Sequence, residues 1–425
     1  MRHFFSFLLA AGLLIGCVAT PAPAETGKPA EGVQLVRADA PRQEPSDAVD
    51  PDVAQLAAGI NRFAFDLYHA LPEDPNANRI FSPYSIALAF SMVYAGARGE
   101  TEAQMAEVLH YLPQETQHAA FNALDQRLAG LGAGAEAEGE AFRLNIANAV
   151  WGQQGFPFQE AYLETLAQHY GAGLQAVDFS SNPDRAREMI NAWVAEETEE
   201  RIQDMLPEGV IDAMTRLVLA NAIYFKAAWL FPFEESATQD GPFTRLDGSQ
   251  ASVPMMHQNT ARVPYAEGEG YQAVLLPYTG ETVDMLAVLP AEGQFAAIEE
   301  RLSADFLDDI RQRAEVRDVT LSMSKFDFEA ELDLVELLAG MGMPDAFSGA
   351  ADFSGIGGGL FISDALHKGT ITVDEKGTEA AAATVIAMAE SAFPRAEVAL
   401  DRPFMFAILE RESGTVLFLG RVLEP

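Results

Sequence analysis

The segment DEKGTEAAAATVIAMAES, Asp374 to Ser391, combines residues that favour different backbone conformations. Its four consecutive alanines favour helix more than any other residue type does. The β-branched runs Ile371-Thr372-Val373 and Thr384-Val385-Ile386 lie on either side of them and favour strand. The middle of the segment carries almost no charge and no bulk. It therefore has the pattern of neither a good helix, nor a good strand, nor a polar loop.

The overall composition indicates a soluble globular protein with a large core. The chain has 425 residues, of which 49% are hydrophobic and 21% are charged. Its formal net charge is −36 and its sequence pI is about 4.4. Because so acidic a surface repels phosphate backbones, nucleic acid is not an expected partner.

The N-terminus resembles a bacterial lipoprotein signal. A basic start leads into a short apolar run and then Leu14-Ile15-Gly16-Cys17, so we assign residues 1–17 as the signal peptide and Cys17 as the lipidated residue. An ordinary signal cleaved after Ala24 is the alternative. Residues 18–50 are rich in Pro, Ala and Glu and are predicted to be a disordered linker.

This assignment predicts an exported protein that is lipid-anchored in the cell envelope, at the outer membrane, in the periplasm or at the cell surface, or is secreted. The membrane would be contacted only through the N-terminal lipid. Since Cys17 is the only cysteine, no intrachain disulfide can form and the fold must depend on its core.

Residues 51–425 have the pattern of one α+β domain, in which helices dominate the first half and strands the second. Apolar residues at helical spacing predict an opening helix around residues 60–68 and a surface helix over 187–206. Apolar runs predict buried strands at 142–151 and 215–225. Residues 271–290 and 403–422 each read as two strands joined by a turn.

A search for enzyme chemistry finds no supporting pattern. The chain has no G-x-S-x-G elbow, no H-E-x-x-H and no Cys/His cluster, and its seven histidines are scattered. The run Gly355-Ile356-Gly357-Gly358-Gly359 lacks the Lys-Ser/Thr of a phosphate-binding loop. We therefore expect no catalytic residues, no cofactor and no metal.

Several motifs, in order along the chain, resemble those of the serpin family. They are NRIFSPYSI from Asn78, LANAIYFKAAW from Leu219, ISDALHK from Ile362, DEKGTEAAAA from Asp374, RPF from Arg402 and GTVLFLGRV from Gly414. They run from Asn78 to Val422, and the resemblance covers residues 53–425. The resemblance implies a fold of about nine helices and three β-sheets with an exposed reactive-centre loop.

It also implies a protease inhibitor that acts as a suicide substrate. In the family, a target protease cuts the loop, whose N-terminal part then inserts as a new strand into the largest sheet. Bulk would block a strand that enters a packed sheet, which explains the small residues of the segment. The resemblance assigns this segment as the hinge, comprising Glu375, Gly377, Thr378, Glu379, Ala380, Ala381, Ala382 and Ala383.

Two further groups of residues take roles from the resemblance. Ser82, Ser85, Asn221 and His367 would form a hydrogen-bonded shutter cluster beneath the sheet. Trp229 and Lys325 would lie at the breach, where the loop first enters, with Lys325 paired to Glu375. The chain has only five lysines, and Lys226, Lys325, Lys368 and Lys376 all fall within these motifs or beside them.

Counting along the loop places the scissile bond at Ser391–Ala392, with Ala392–Phe393 as the alternative. A small uncharged residue on the acyl side suits a shallow apolar pocket. The expected partner is therefore an elastase-like or subtilisin-like serine protease, bound as a covalent acyl complex by a monomeric inhibitor. A papain-like cysteine protease as target, and a non-inhibitory serpin acting as a binding protein, remain the alternatives.

Overall fold

A computed structural model describes residues 32–45, 50–72, 74, 76–135, 143–378 and 394–425. Within these ranges the chain forms nine α-helices. They are α1 (Asp50–Ala70), α2 (Pro83–Tyr94), α3 (Gly99–Val108), α4 (Gln114–Ala135), α5 (Glu160–Thr165), α6 (Pro183–Glu197), α7 (Phe295–Glu300), α8 (Ala304–Arg313) and α9 (Leu334–Met341). A π-helical turn, Leu166–Tyr170, continues α5.

The same ranges contain sixteen strands. They are β1 (Gln34–Val36), β2 (Arg79–Phe81), β3 (Arg143–Gln153), β4 (Leu174–Val177), β5 (Leu217–Ala228), β6 (Gln239–Thr244), β7 (Gln250–Gly268), β8 (Tyr271–Pro277), β9 (Val283–Pro290), β10 (Glu315–Ser324), β11 (Phe326–Asp333), β12 (Asp364–Val373), β13 (Gly377–Thr378), β14 (Arg395–Leu400), β15 (Phe404–Glu410) and β16 (Val416–Val422).

The central sheet has seven strands in the order β1-β4-β3-β5-β13-β12-β11. Its two middle strands, β5 and β12, run parallel and pair directly from Val218 with Asp364 to Tyr224 with Thr370. Beyond that point the two-residue strand β13 lies between them and is antiparallel to both. The sheet is therefore closed along most of its length and open at one end.

The other nine strands form one connected network that divides at the long strand β7. The first six residues of β7 pair with β6, and its last four residues pair with β8. Because β7 pairs with β10 and with β8, backbone pairing makes these nine strands one sheet in the described residues. The α+β fold class, with nine helices and more than one β-sheet, is confirmed within those residues.

Helix α2 supports the central sheet from behind. It begins with Ser82, whose side chain accepts a hydrogen bond from the Ser85 backbone N–H, and with Pro83 at its first position. Every residue of α2 is buried. It contacts β3 and β5 on one side and β16 on the other, so it fixes the central sheet against the rest of the body.

The predicted disorder of residues 18–50 is wrong for residues 32–45. Gln34–Val36 form β1, which adds an edge strand to β4. The composition of this segment favours disorder in isolation, but pairing with an existing strand edge satisfies its backbone groups. Residues 1–31 and 46–49 lie outside the described residues.

The surface helix predicted over 187–206 also ends early, at Glu197. Glu199 and Glu200 take positive φ angles of 51° and 62°, which turns the chain. The turn brings Ile202 and Leu206 into the cluster of apolar side chains beneath α6. No helix in the described part of the chain is long and apolar enough to cross a membrane.

Candidate functional site

The open end of the central sheet holds Gly377 and Thr378, the first residues of the segment that the resemblance assigns as the hinge. Thr378 is fully buried, pairs with Val373 on one side and Ala227 on the other, and shares a hydrogen bond of 2.9 Å with the Tyr278 hydroxyl. Gly377 has φ of +151°, and a Cβ there would lie 2.1 Å from the Ala227 carbonyl oxygen. Only glycine fits this position, because the backbone of β5 approaches so closely.

The turn that follows β5 binds residues 374–376, just before Gly377, through hydrogen bonds to their backbone carbonyls. The Trp229 N–H donates to the Lys376 carbonyl at 2.8 Å, and the Phe233 N–H donates to the Glu375 carbonyl at 2.8 Å. The Trp229 indole N–H donates to the Asp374 carbonyl at 3.1 Å, and its ring stacks on Tyr278 with centroids 4.5 Å apart. Residues 374–376 are thus held at the mouth of the opening.

Ion pairs of Glu375 and Lys376 also hold residues 374–376 in place. Lys325 Nζ lies 2.8 Å from Glu375 Oε2, and the Thr238 hydroxyl donates to Glu375 Oε1 at 2.7 Å. Burial opposes ionisation of Glu375, but these hydrogen bonds outweigh it and lower its pKa below the ordinary value. The ion pair with Lys325 is the one implied by the resemblance. Lys376 pairs with Glu235 at 3.2 Å.

Further down the sheet, the four residues of the shutter cluster are buried and in contact. The Ser82 backbone N–H donates to His367 Nε2 at 3.0 Å. The other ring nitrogen, Nδ1, bonds to Asn221 Oδ1. Asn221 Nδ2 in turn donates to Ser85 Oγ at 2.8 Å. His367 and Asn221 are register partners on β12 and β5, so this chain of bonds links the two middle strands of the central sheet to α2.

The bonding pattern fixes the protonation state of His367. Because Nε2 accepts from a backbone N–H, the ring proton must be on Nδ1, where it is donated to Asn221. A second proton on Nε2 would face the Ser82 N–H and break that bond. Complete burial lowers the pKa of His367 from 6.5 to about 3, so the ring is neutral near pH 7.

Sequence reasoning missed a fifth member of this cluster, Asn148 on β3. Its Oδ1 accepts from Ser85 Oγ at 3.2 Å and from Asn221 Nδ2, and its Nδ2 donates to the Ser85 carbonyl at 3.0 Å. Asn148 and Asn221 are direct register partners. The signal was present in the sequence, because both strands carry Ala-Asn-Ala, an amide in an otherwise apolar run that has to be satisfied when buried.

Other predicted site residues fall outside the described ranges. They are the lipidation site Cys17, the rest of the hinge (Glu379, Ala380, Ala381, Ala382 and Ala383) and the reactive bond Ser391–Ala392 with its alternative residue Phe393. Among the described residues, no group of three or more His, Cys, Asp or Glu side chains could hold a metal ion. The gap between β5 and β12, which β13 only begins to fill, could accept a longer strand.

Comparison with known proteins agrees with this geometry. The family model described as "Serpin (serine protease inhibitor)" matches residues 58–425. An uncharacterized serpin-like protein of Thermococcus kodakarensis is 42% identical over 373 residues, which cover 86% of this chain and 85% of that protein. The leukocyte elastase inhibitor of Homo sapiens is 37% identical over 384 residues, covering 87% of this chain and all of the inhibitor.

Solved structures show the same fold. Uncleaved ovalbumin superposes with a TM-score of 0.78 at 28% identity, covering 87% of this chain and 100% of ovalbumin. The native state of tengpin, a thermophilic serpin, gives a TM-score of 0.78 at 28% identity, covering 92% of this chain and 98% of tengpin. The matched family model, the relatives and the shared fold together establish that this chain belongs to the serpins, a family of protease inhibitors that act on target proteases and are not themselves enzymes.

Proposed function

We propose that this chain is an inhibitory serpin, a suicide substrate for serine proteases. A protease would cut the loop at Ser391–Ala392, and the freed N-terminal part of the loop would insert between β5 and β12 while still carrying the acyl-enzyme. The single observation that carries this proposal is β13, because Gly377 and Thr378 already occupy the first two positions of the new strand.

The sheet topology supplies a driving force for insertion. The β5 and β12 strands are parallel neighbours, and β13 runs antiparallel to both. Continuing β13 would therefore replace one parallel ladder with two antiparallel ladders, which form the more stable type of pairing. The sheet would gain a strand, and the loop's backbone groups would exchange water for strand partners.

The composition of the hinge is suited to this path. Thr378 projects toward Tyr278 in the packed interior, so alternate residues Ala380 and Ala382 would share its face of the new strand. Small side chains can pass between packed strands, whereas a bulky or charged residue would be stopped. We therefore assign the hinge as the segment that decides whether the chain traps a protease.

In this mechanism the protein supplies no catalytic group. The protease's own nucleophile attacks the carbonyl carbon of Ser391, its Oγ–C bond forms, and the Ser391–Ala392 amide bond breaks with a proton going to the new amino terminus. Insertion would move the attached enzyme by about 45 Å for fourteen residues at ~3.3 Å each. Distortion of the enzyme would then prevent deacylation.

The target class follows from the residue on the acyl side. Ser391 is small and uncharged and suits the shallow pocket of elastase-like and subtilisin-like proteases. The leukocyte elastase inhibitors of Bos taurus and Homo sapiens, at 39% and 37% identity, support this class. The overall charge of −36 would also speed encounter with a basic protease. Papain-like cysteine proteases are a second target class to be tested.

We further propose that Cys17 is lipidated and anchors a monomeric serpin to the cell envelope, with residues 18–31 as the spacer. The support is the sequence Leu14-Ile15-Gly16-Cys17 after a short apolar run. Mass spectrometry of the N-terminal peptide should find acyl groups on Cys17. A Cys17→Ala variant should be recovered unlipidated, and an unmodified Cys17 in the mature wild-type protein would exclude the anchor.

The proposed inhibitory mechanism is tested by incubating the protein with pancreatic elastase, subtilisin and papain and then running denaturing electrophoresis. We expect a covalent band that survives boiling, together with a released C-terminal peptide that begins at Ala392. A Thr378→Arg variant should be cut at the same bond without forming the band, because an arginine does not fit the buried position beside Tyr278 from which the inserted strand would continue between β5 and β12. Cleavage of the wild type without a covalent band by every protease would refute the inhibitory mechanism and leave a non-inhibitory serpin.

A further inference from the structure

Residues 32–45, here called the N-terminal strap, cross four elements on one side of the central sheet. Val33 packs into the apolar cluster beneath α6, where Gly32 lies against Met189. Gln34–Val36 pair with β4. Arg42 and Gln43 then reach the π-helical turn after α5 and the side of α4. The strap therefore links the edge of the sheet to the helices beside it.

Arg42 is the main attachment to α4. Its guanidinium donates to Asn122 Oδ1 at 2.8 Å and forms an ion pair of 2.6 Å with Asp125, in which both side chains are about 24% exposed. The Gln43 carbonyl accepts from the side-chain amides of Asn122 and Gln126 at 2.8 and 2.9 Å. The Gln43 N–H donates to the Gln168 carbonyl in the π-helical turn.

Two glycines of the body make room for the strap. An added Cβ at Gly173 would lie 2.9 Å from both Leu35 Cδ1 and the Val36 carbonyl oxygen, although its φ angle lies outside the range that favours glycine. A Cβ at Gly171 would lie 3.0 Å from Arg42 Cδ. Gly173 is thus required for space and not for backbone conformation, which indicates that this surface is shaped to be covered.

Insertion of a strand has to displace the part of the sheet to which the strap is fixed. One added strand widens a sheet by about 4.8 Å. The β12 and β11 strands rest on β2, which pairs with β16 of another sheet, whereas β5 and β3 rest on the surface of helix α2. We therefore expect the shift to fall on β5, β3 and β4. Helix α4, by contrast, packs on α1, so we expect it to stay in place when β4 moves.

We propose that the N-terminal strap is a brake on opening of the central sheet, which holds β4 to α4 and so slows insertion of the reactive loop. This inference rests on the proposed insertion mechanism. When β4 moves with the opening sheet, either the β1–β4 pairing or the contacts of Arg42 and Gln43 with α4 must break. A substitution that removes either of these attachments therefore lowers the barrier to insertion and leaves the stability of the inserted state unchanged.

The brake is tested with full-length protein by following conversion to the inserted form during warm incubation. Conversion is read as the fraction that has become resistant to unfolding in urea. Arg42→Ala removes the attachment to α4. Gly173→Ala places a methyl group against Leu35 and Val36 and so pushes β1 away, without changing Arg42. Both should convert about three- to tenfold faster than wild type, which for Arg42→Ala is the effect of losing one partly exposed charge-assisted contact.

Arg37→Ala is the matched control. Arg37 lies in the same strap and is exposed, and its side chain makes no hydrogen bond or ion pair with other described residues, so its loss should leave the rate unchanged. Conversion of Arg42→Ala and Gly173→Ala at the wild-type rate would overturn the brake. Equal acceleration by Arg37→Ala would also overturn it, because charge alone would then explain the effect.

Failure of the underlying mechanism has a different signature. Each chain is also cut in its reactive loop with subtilisin before urea unfolding. If the cut chains gain no resistance to urea, the loop does not insert, and both the proposed function and the brake are wrong. If every cut chain gains the same resistance while the uncut variants convert at equal rates, only the brake is wrong.

Discussion

Acid should weaken this protein through His367, whose ring proton is assigned to Nδ1 within the shutter cluster. Its pKa is lowered to about 3 in the folded chain, against 6.5 in the unfolded chain. Between these values the unfolded state binds a proton that the folded state does not bind. The contribution to stability is therefore complete above pH 6.5 and is lost progressively as the pH falls toward 3.

At about pH 5 the solution is ~1.5 pH units below the unfolded pKa, which corresponds to a loss of about 2 kcal/mol from His367. Burial also lowers the pKa of His118 to about 3, so the wild type should lose a similar amount at that site. A His367→Gln variant removes the first loss and keeps the second. Its amide can still accept from the Ser82 N–H and donate to Asn221.

The assay is urea unfolding, followed by tryptophan fluorescence and far-ultraviolet circular dichroism, at about pH 7.5 and about pH 5. The drop in unfolding free energy between the two pH values should be about 2 kcal/mol smaller in His367→Gln than in wild type. His257→Gln, at an exposed position, should show the wild-type drop. An equal drop in wild type and His367→Gln would refute the assigned burial and tautomer.

Three further substitutions test the geometry of the opening, each by urea unfolding beside wild type. Lys325→Met should lower the unfolding free energy by about 1–2 kcal/mol because it leaves the buried Glu375 carboxylate without its cation, and an unchanged value would show that the pair contributes nothing. Gly377→Ala should lower the unfolding free energy by about 2 kcal/mol or displace β13 from the sheet, because its Cβ would meet the Ala227 carbonyl oxygen. Wild-type stability with β13 still in place would contradict the observed close approach. Asn148→Ala should lose about 1–3 kcal/mol by leaving Ser85 and Asn221 donors unsatisfied, and a neutral effect would remove Asn148 from the cluster.

The sequence motifs predicted the family, the α+β fold class and four of the five residues of the shutter cluster, because each of these depends on residue types at fixed positions. The backbone bonds from Trp229 and Phe233 to residues 375 and 376 were not predicted, since a backbone N–H is present at almost every residue and leaves no sequence signal. The strap was missed for a related reason. Its Pro- and Ala-rich composition indicates disorder, and its order comes from β4 and from Arg42 reaching α4.

The placement of the lysines gives the molecule a chemical reporter of its own conformation. Lys226 and Lys368 lie in the central sheet, Lys325 immediately precedes its strand β11, and Lys376 immediately precedes β13, while Lys28 lies outside the described residues. Lys325 and Lys376 each pair with a glutamate at the mouth of the opening, and Lys368 pairs with Glu329 across β12 and β11. An amine-acylating reagent therefore modifies few places besides these sites and the chain terminus. The labelling pattern of a single tryptic digest would distinguish a closed sheet from an expanded one in the unmutated protein.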